Sequence, residues 1–206
     1  MRLLFSFCMM LSVGLCVAGD NGTAEVDKTQ IKILLAKPFL KAEFIKTRTL
    51  KIMSRPFITS GKVLFLPDKG LIWETTQPVR DVLFISQKGV SQLDINTNKI
   101  VNIDNPIVKS ASEVFVSIVS LDLNKINRLF DIKLLNSESG VHRYSLTPKD
   151  DNLKKAILSL EIRGRSRVEA ILIREVGGDS TEVIFKDEQF DMDAFSPAEL
   201  TLFKLM

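Results

Sequence analysis

The stretch from residue 61 to residue 86 constrains the fold more than any other part of this chain. It reads GKVLFLPDKGLIWETTQPVRDVLFIS, and it predicts three consecutive short strands over residues 61–66, 71–75 and 80–86. The segments 67–70 and 76–78 are the turns between them, because Pro fixes φ and Gly accepts a positive φ. This stretch therefore predicts an antiparallel sheet.

These predicted strands are apolar on both faces. An antiparallel strand with one face in water alternates apolar and polar side chains, but here Ile72 is followed by Trp73, and Phe84 by Ile85. Such a sheet either is covered by protein on both faces or holds something apolar on one. The residues alone leave both alternatives open.

The rest of the chain adds more strands and a helical insertion. A long strand is predicted over 39–53, and hairpins over 90–95 with 100–103, over 132–136 with 141–147, and over 156–163 with 167–174. A last strand covers 180–186. The predicted fold class is mainly β (α+β), with about eleven strands in a single domain over residues 20–206.

Four helices are predicted from capping signals and apolar periodicity. Residues 24–36 form an N-terminal helix. The Ser110-Ala-Ser-Glu113 sequence matches a capping box in front of a second helix, and Asp122 is the candidate N-cap of a third, over 123–130. A second capping box, Ser196-Pro-Ala-Glu199, opens a helix that runs to residue 206.

The first 19 residues are typical of a secretory signal peptide. A basic start is followed by the apolar run LLFSFCMMLSVGLCV, and small residues follow at Ala18 and Gly19. A membrane anchor is the alternative, but the run is shorter than the about 20 apolar residues of a comfortable span. Both cysteines, Cys8 and Cys16, lie in this segment, so the mature chain is expected to have neither a disulfide nor thiol chemistry. An exported, periplasmic protein is predicted.

The composition argues against several function classes. The single histidine, His142, has no partner motif for a metal site or a hydrolase triad. A formal net charge of +3 without a basic stripe interleaved with aromatic residues gives no support for nucleic-acid binding. We therefore expect a protein that is not an enzyme and needs no cofactor or metal. An envelope hydrolase using His142 is the remote alternative.

The order of several motifs resembles the LolA family of periplasmic lipoprotein carriers. The pattern Gly61…Pro67-x-x-Gly70-Leu71-x-Trp73-x-x-x-x-Pro78 is similar to the signature region of that family, and the resemblance continues through 83–89, the LTPK sequence at 146–149 and residues 168–185. It implies a half-open antiparallel β-barrel with an N-terminal helix and a helical lid over an apolar cavity that holds acyl chains.

The resemblance also implies which residues bind lipid. The cavity is expected to be lined by apolar side chains of the first strands: Phe44, Phe65, Leu71, Trp73, Leu83 and Ile85. The lid is expected to use the apolar face of the segment 111–130: Val114, Phe115, Ile118, Val119, Leu123 and Ile126.

The chain departs from the family pattern at two positions of the first strands. In the first strand Lys46, between Phe44 and Arg48, replaces the Gln of the family's Phe-x-Gln, and Leu66 occupies the place of an Arg before Pro67. We therefore expect a monomeric carrier of an acylated lipoprotein or another lipid, moving cargo from an inner-membrane donor to an outer-membrane acceptor. The alternatives are a non-enzymatic envelope adaptor or scaffold, or a LolA-like accessory of an outer-membrane lipid or polyene biosynthetic pathway.

Overall fold

The computed structural model describes residues 41–86, 89–120 and 122–206. The predicted signal peptide and the predicted helix over 24–36 lie outside the described residues. The strand predicted over 39–53 is β1, Lys41–Thr49, and residues 50–53 form a turn after it.

Eleven antiparallel strands of the described residues form one open sheet, as predicted. After β1 the strands are β2 Phe57–Leu66, β3 Gly70–Gln77, β4 Asp81–Ser86, β5 Gly89–Asp94, β6 Lys99–Asn102, β7 Phe130–Glu138, β8 Val141–Pro148, β9 Ile157–Gly164, β10 Val168–Glu175 and β11 Ser180–Gln189. Their spatial order is β6-β5-β4-β3-β2-β1-β11-β10-β9-β8-β7, so β6 and β7 are the two free edges. The sheet is a half-open barrel, which confirms the predicted fold class.

Four α-helices accompany the sheet in the described part of the chain. They are α1 Pro106–Val119, α2 Leu123–Leu129, α3 Asp151–Ala156 and α4 Pro197–Leu202, with short 3-10 turns at Met192–Ala194 and Phe203–Leu205. Helices α1 and α2 follow β6 and precede β7, so they join the two free edges. They lie against the concave face, where α1 also contacts α2 and α3.

The predicted capping box at Ser110 and Glu113 is wrong. Helix α1 begins at Pro106, so both residues lie inside it. The side-chain oxygen of Asn105 accepts a hydrogen bond from the N–H of Val108 at 3.2 Å, in the manner of an N-cap. Proline suits a first helical position because its missing N–H would have no partner there.

Helix α2 starts as predicted but ends one residue earlier. The Asp122 carboxylate accepts a hydrogen bond from the N–H of Lys125 at 2.9 Å, which confirms the N-cap. Phe130, predicted as the last helical residue, is instead the first residue of β7. Helix α3 was not predicted; the Asp150 side chain caps it, and β9 accordingly starts at Ile157 rather than at Ala156.

Gly61 is required by the close approach of β2 and β3. The register between these strands shifts between Ser60 and Gly61, and a Cβ at Gly61 would collide with the carbonyl oxygen of Glu74. A residue without a side chain therefore lets the two backbones meet at this bulge.

Both faces of the β2–β5 sheet are covered by protein. The convex face carries a cluster that the C-terminal segment covers: Leu64, Ile72, Val82, Phe84, Leu93, Phe195 and Phe203. Helix α4 starts with the predicted capping box, in which Ser196 and Glu199 each accept from the other's backbone N–H. It ends at Leu202, before the predicted end at residue 206, and a 3-10 turn follows. These strands are apolar on both faces because the helices cover the concave face and the C-terminal segment covers the convex face.

A buried carboxylate fixes this C-terminal segment to the sheet. Glu199 is 4% exposed and accepts from the ammonium groups of Lys41 and Lys62, each at 3.0 Å. Burial raises the pKa of Glu199, but the Ser196 N–H and the two lysines outweigh it and lower the pKa to about 2. Lys62 also pairs with Glu74 at 3.3 Å, so the network extends to β3.

Candidate functional site

The concave face gathers the apolar side chains that the sequence assigned to a cavity. Alternate residues of a strand point to the same face, and the register pairs Trp73 with both Val63 and Leu83, and Leu71 with Ile85. All six proposed lining residues belong to or pack against one cluster: Phe44, Phe65, Leu71, Trp73 and Ile85 are buried, and Leu83 is half-buried.

Three aromatic rings form the centre of this cluster. The ring centroids of Phe44 and Trp73 are 3.9 Å apart, and Phe115 of α1 meets Trp73 edge-on at 5.0 Å. Phe115 also lies 6.3 Å from Phe185 of β11. A side chain of the helical insertion is therefore inserted between strands from both sides of β1.

The six residues assigned to the lid lie on the helix surfaces that face the sheet. They contact the same apolar cluster as the strands: Val114, Ile118, Val119 and Ile126 are buried, and Phe115 and Leu123 are half-buried. The structure thus brings the two predicted sets together as one helix–sheet interface. Their binding to lipid stays a prediction.

Two clefts lie beside α1 in this closed arrangement. A cleft of about 190 Å³ lies between α1 and the β4–β5 hairpin, lined among others by Ile85, Val90 and Val116. Ligand sites for drug-sized molecules occupy about 300–1,000 Å³. A second cleft of about 550 Å³ lies between the β2–β3 turn and α1, where Asp68, Lys69 and Asp122 line it together with Phe65 and Val116. An acyl chain that contacts Trp73 would need α1 to move, because Phe115 covers the indole ring.

Two polar side chains interrupt the apolar concave face beside the aromatic rings. Lys46 pairs in register with Thr59 on β2 and with Val183 on β11, two residues along β1 from Phe44. Thr59 is 6% exposed, and its hydroxyl oxygen has no hydrogen-bond partner among the described residues. The sequence indicated Lys46 only as a departure from a family pattern; its pairing with Thr59 depends on the strand register.

The geometry around His142 does not assemble a recognisable catalytic set. His142 lies on β8, opposite Ser137 and Gly164, with its ring centroid 6.4 Å from that of Tyr144. Its Nδ1 atom is buried without a hydrogen-bond partner in the described part of the chain. Among the same residues, no group of three or more His, Cys, Asp or Glu side chains is placed to hold a metal.

The fold and the concave site define a class of protein: an open β half-barrel whose apolar inner face is covered by helices. The sequence matches the family described as outer membrane lipoprotein carrier protein LolA over residues 39–198. The chain belongs to the LolA family. This membership supports a lipoprotein-binding or carrier-like role in the cell envelope.

Solved structures resemble this chain at low sequence identity. A LolA superfamily protein from Nitrosomonas europaea is 9% identical, with a TM-score of 0.48, covering 83% of this chain and 93% of that one. Pseudomonas aeruginosa MucB, in its complex with MucA, is 8% identical, with a TM-score of 0.41 and coverage of 83% and 61%. LprF from Mycobacterium bovis is 10% identical, with a TM-score of 0.39 and coverage of 82% and 95%. No curated protein matches the sequence significantly.

The described helices do not include a membrane-spanning segment. None of them is long and apolar enough to cross a bilayer.

Proposed function

We propose that this protein is a non-enzymatic periplasmic carrier that binds the acyl chains of a lipoprotein or lipid on its concave face and moves them towards the outer membrane. The observation that carries the proposal is the aromatic contact between Phe115 of α1 and Trp73 of β3, in a chain of the LolA family. Through this contact, α1 covers the apolar concave face of the sheet.

The physical need for such a cover is clear from the cost of exposed hydrocarbon. Each methylene that leaves an apolar environment for water costs about 0.8 kcal/mol. A carrier must therefore offer cargo an apolar wall, and it must also hide that wall when cargo is absent. Helix α1 meets the second requirement, because Val114, Ile118 and Val119 are buried against the sheet.

The proposed cycle exchanges one apolar cover for another. In the closed state α1 packs on the sheet. When α1 moves outwards, acyl chains lie between the sheet and the apolar face of α1, where they replace Phe115 against Trp73 and Phe44, so little apolar surface remains in water in either state. An inner-membrane donor would supply the cargo and an outer-membrane acceptor would remove it. The carrier itself acts as a monomer.

A second candidate is an adaptor or scaffold of a cell-envelope complex. The filled interior favours it, because α1 and α2 complete a core with buried residues on helices and strands alike. In this alternative the helices never leave the sheet, and function lies on the outer surface. An accessory role in a lipid or polyene biosynthetic pathway would instead use the same concave site for another acyl cargo.

Mass spectrometry of lipids that co-purify with the protein from membranes separates these candidates. The carrier predicts acylated molecules in the wild-type preparation and a reduced yield with Leu83→Gln, which places an amide on the concave face. Leu135→Gln, at a 49% exposed leucine of edge strand β7, is the matched control and should retain the lipid. A wild-type protein that carries no lipid and captures only proteins would favour the adaptor.

A further inference from the structure

The concave face contains a half-buried cation, the ammonium group of Lys46. Lys46 points to the same side of β1 as Phe44, since the register pairs Phe44 with Gly61 and Phe185, and Lys46 with Thr59 and Val183. Among the described residues, its ammonium makes neither an ion pair nor a hydrogen bond. Its side chain is half-buried, so the charge is only partly solvated by water.

Arg48, a neighbour of Lys46 on β1, does make ion pairs. Arg48, two residues further along the same face, pairs with the carboxylates of Glu175 at 3.2 Å and Asp179 at 3.6 Å. Asp81 is close enough to favour the charged form of Lys46, but its carboxylate accepts a hydrogen bond from the Gln92 amide instead. Arg48 thus makes direct ion pairs within the fold, whereas Lys46 makes none with the described residues and feels only the longer-range charge of Asp81.

A second unsatisfied group lies next to Lys46. Directly opposed residues of antiparallel strands have Cβ atoms about 4.5–5.5 Å apart, so the Thr59 hydroxyl lies within reach of a group bound at Lys46. A buried hydroxyl without a partner costs free energy unless something supplies a hydrogen bond. Lys46 and Thr59 together offer an ammonium and a hydroxyl at one point of an otherwise apolar face.

The surroundings of this pair suit a hydrocarbon chain. On one side lie Phe44 and, 3.9 Å from it, Trp73. On the other side the row continues through Val183 and Ile171, which are both buried. A molecule with one anionic group and an alkyl chain would satisfy both polar residues and the apolar wall around them.

We propose that Lys46 and Thr59 form a headgroup site that binds the carboxylate or phosphate oxygens of an anionic amphiphile whose alkyl chain lies on the concave face. This inference rests on the proposed function and specifies its cargo class as anionic lipid. Burial and the nearby Arg48 charge lower the pKa of the Lys46 ammonium, as expected for a cation that lacks its partner.

Titration with laurate and with dodecanol tests the proposal, because the two probes share an alkyl chain length and differ in charge. Trp73, the only tryptophan of the chain, reports binding by its fluorescence. Wild-type protein should bind laurate more tightly than dodecanol. Lys46→Gln should weaken the binding of laurate about tenfold, as for the loss of a charge-assisted hydrogen bond. It should leave the affinity for dodecanol unchanged. Thr59→Val should lower the affinity for laurate by about two- to tenfold.

The control variant is Lys186→Gln, which removes a lysine from the convex face of β11 and should leave both titrations unchanged. Lys46→Met should unfold at the same temperature as the wild type or a higher one, because it removes an unpaired, half-buried charge. A marked loss of stability in Lys46→Met would make Lys46 a structural residue and overturn the proposal.

The remaining outcomes separate this inference from the proposed function. If laurate and dodecanol bind wild-type protein equally and Lys46→Gln changes neither, the headgroup site is refuted while the acyl carrier stands. If sodium acetate alone competes fully with laurate, the site is one for free anions and the lipid assignment is wrong. If neither probe binds, the proposed function and the headgroup site both fail.

Discussion

Phe115 of α1 meets the indole of Trp73 edge-on, with the ring centroids 5.0 Å apart. An aromatic pair of this kind contributes about 0.5–1.5 kcal/mol beyond its buried area. Such a contact can hold a helix on a sheet in the resting state without making its release prohibitive. In the proposed carrier, opening of α1 would break this contact.

Helix α1 should open more easily than the sheet it covers. In hydrogen exchange, the backbone amides of residues 112–119 should exchange faster than those of residues 83–85 in β4, since elements that move in function belong to the less stable part of a fold. Phe115→Ala should accelerate exchange in α1 further and leave β4 nearly unchanged. Equal protection of α1 and β4 would mean that α1 is a permanent part of the core.

Glu199 should stabilise the protein near neutral pH and lose this effect in acid. Its pKa is lowered from 4.5 to about 2 in the folded state, so its contribution is fully present above about 4.5 and is lost as the pH falls towards 2. Glu199→Gln should lower the free energy of unfolding by about 1–3 kcal/mol at pH 7, and the difference should shrink across that interval.

Denaturant titrations at several pH values measure this difference. Asp151→Asn, which breaks the exposed ion pair of Asp151 with Lys154, is the control and should cost less than about 1 kcal/mol. If Glu199→Gln were as mild as this control at pH 7, the C-terminal segment would not depend on its charge network.

Gly61→Ala should destabilise the fold, because the new Cβ would collide with the carbonyl oxygen of Glu74 in the neighbouring strand. A loss of about 1–3 kcal/mol or more is expected from the forced backbone shift. Gly177→Ala, where nothing lies within 4 Å of a Cβ, is the matched control and should be nearly neutral. Thermal unfolding of the two variants compares them, and an equally mild Gly61→Ala would contradict the tight approach of β2 and β3.

His142→Ala should leave lipid binding intact. The described residues place no catalytic partner at its ring, and His142 does not belong to the apolar cluster of the concave face. Lipid titrations of the folded variant measure this directly. A loss of function in a well-folded His142→Ala protein would revive the hydrolase alternative.

Local signals in the sequence predicted most of the architecture. The N-cap at Asp122 and the capping box at Ser196 depend on neighbouring residues only, and the structure confirms both. The three strands around Gly61 are also present, but β2 already begins at Phe57, and β3 continues to Gln77, where a turn was predicted. The box at 110–113 failed because a Ser-x-x-Glu spacing also occurs inside helices. Pro106 carried the better signal for the helix start.

Features that depend on register could not be predicted. Glu199 forms an ion pair with Lys41, which lies 158 positions away in the sequence. No local sequence pattern predicts a contact between residues so far apart. The same holds for the pairing of Lys46 with Thr59, which requires the alignment of β1 with β2. The sequence could assign Trp73 to a strand face, but only the packed structure places Phe115 against it.

The fluorescence of Trp73 tests the central claim most directly, because it is the only tryptophan and lies between Phe44 and Phe115. On titration with an N-palmitoylated peptide, the account predicts a saturable shift or quenching of this fluorescence, with no such change for the unacylated peptide. It also predicts that Trp73→Ala weakens binding more than it weakens folding. No response to the acylated peptide, together with a loss of about 3–5 kcal/mol in Trp73→Ala as for a core aromatic, would show that Trp73 belongs to a permanently packed core and would contradict the carrier.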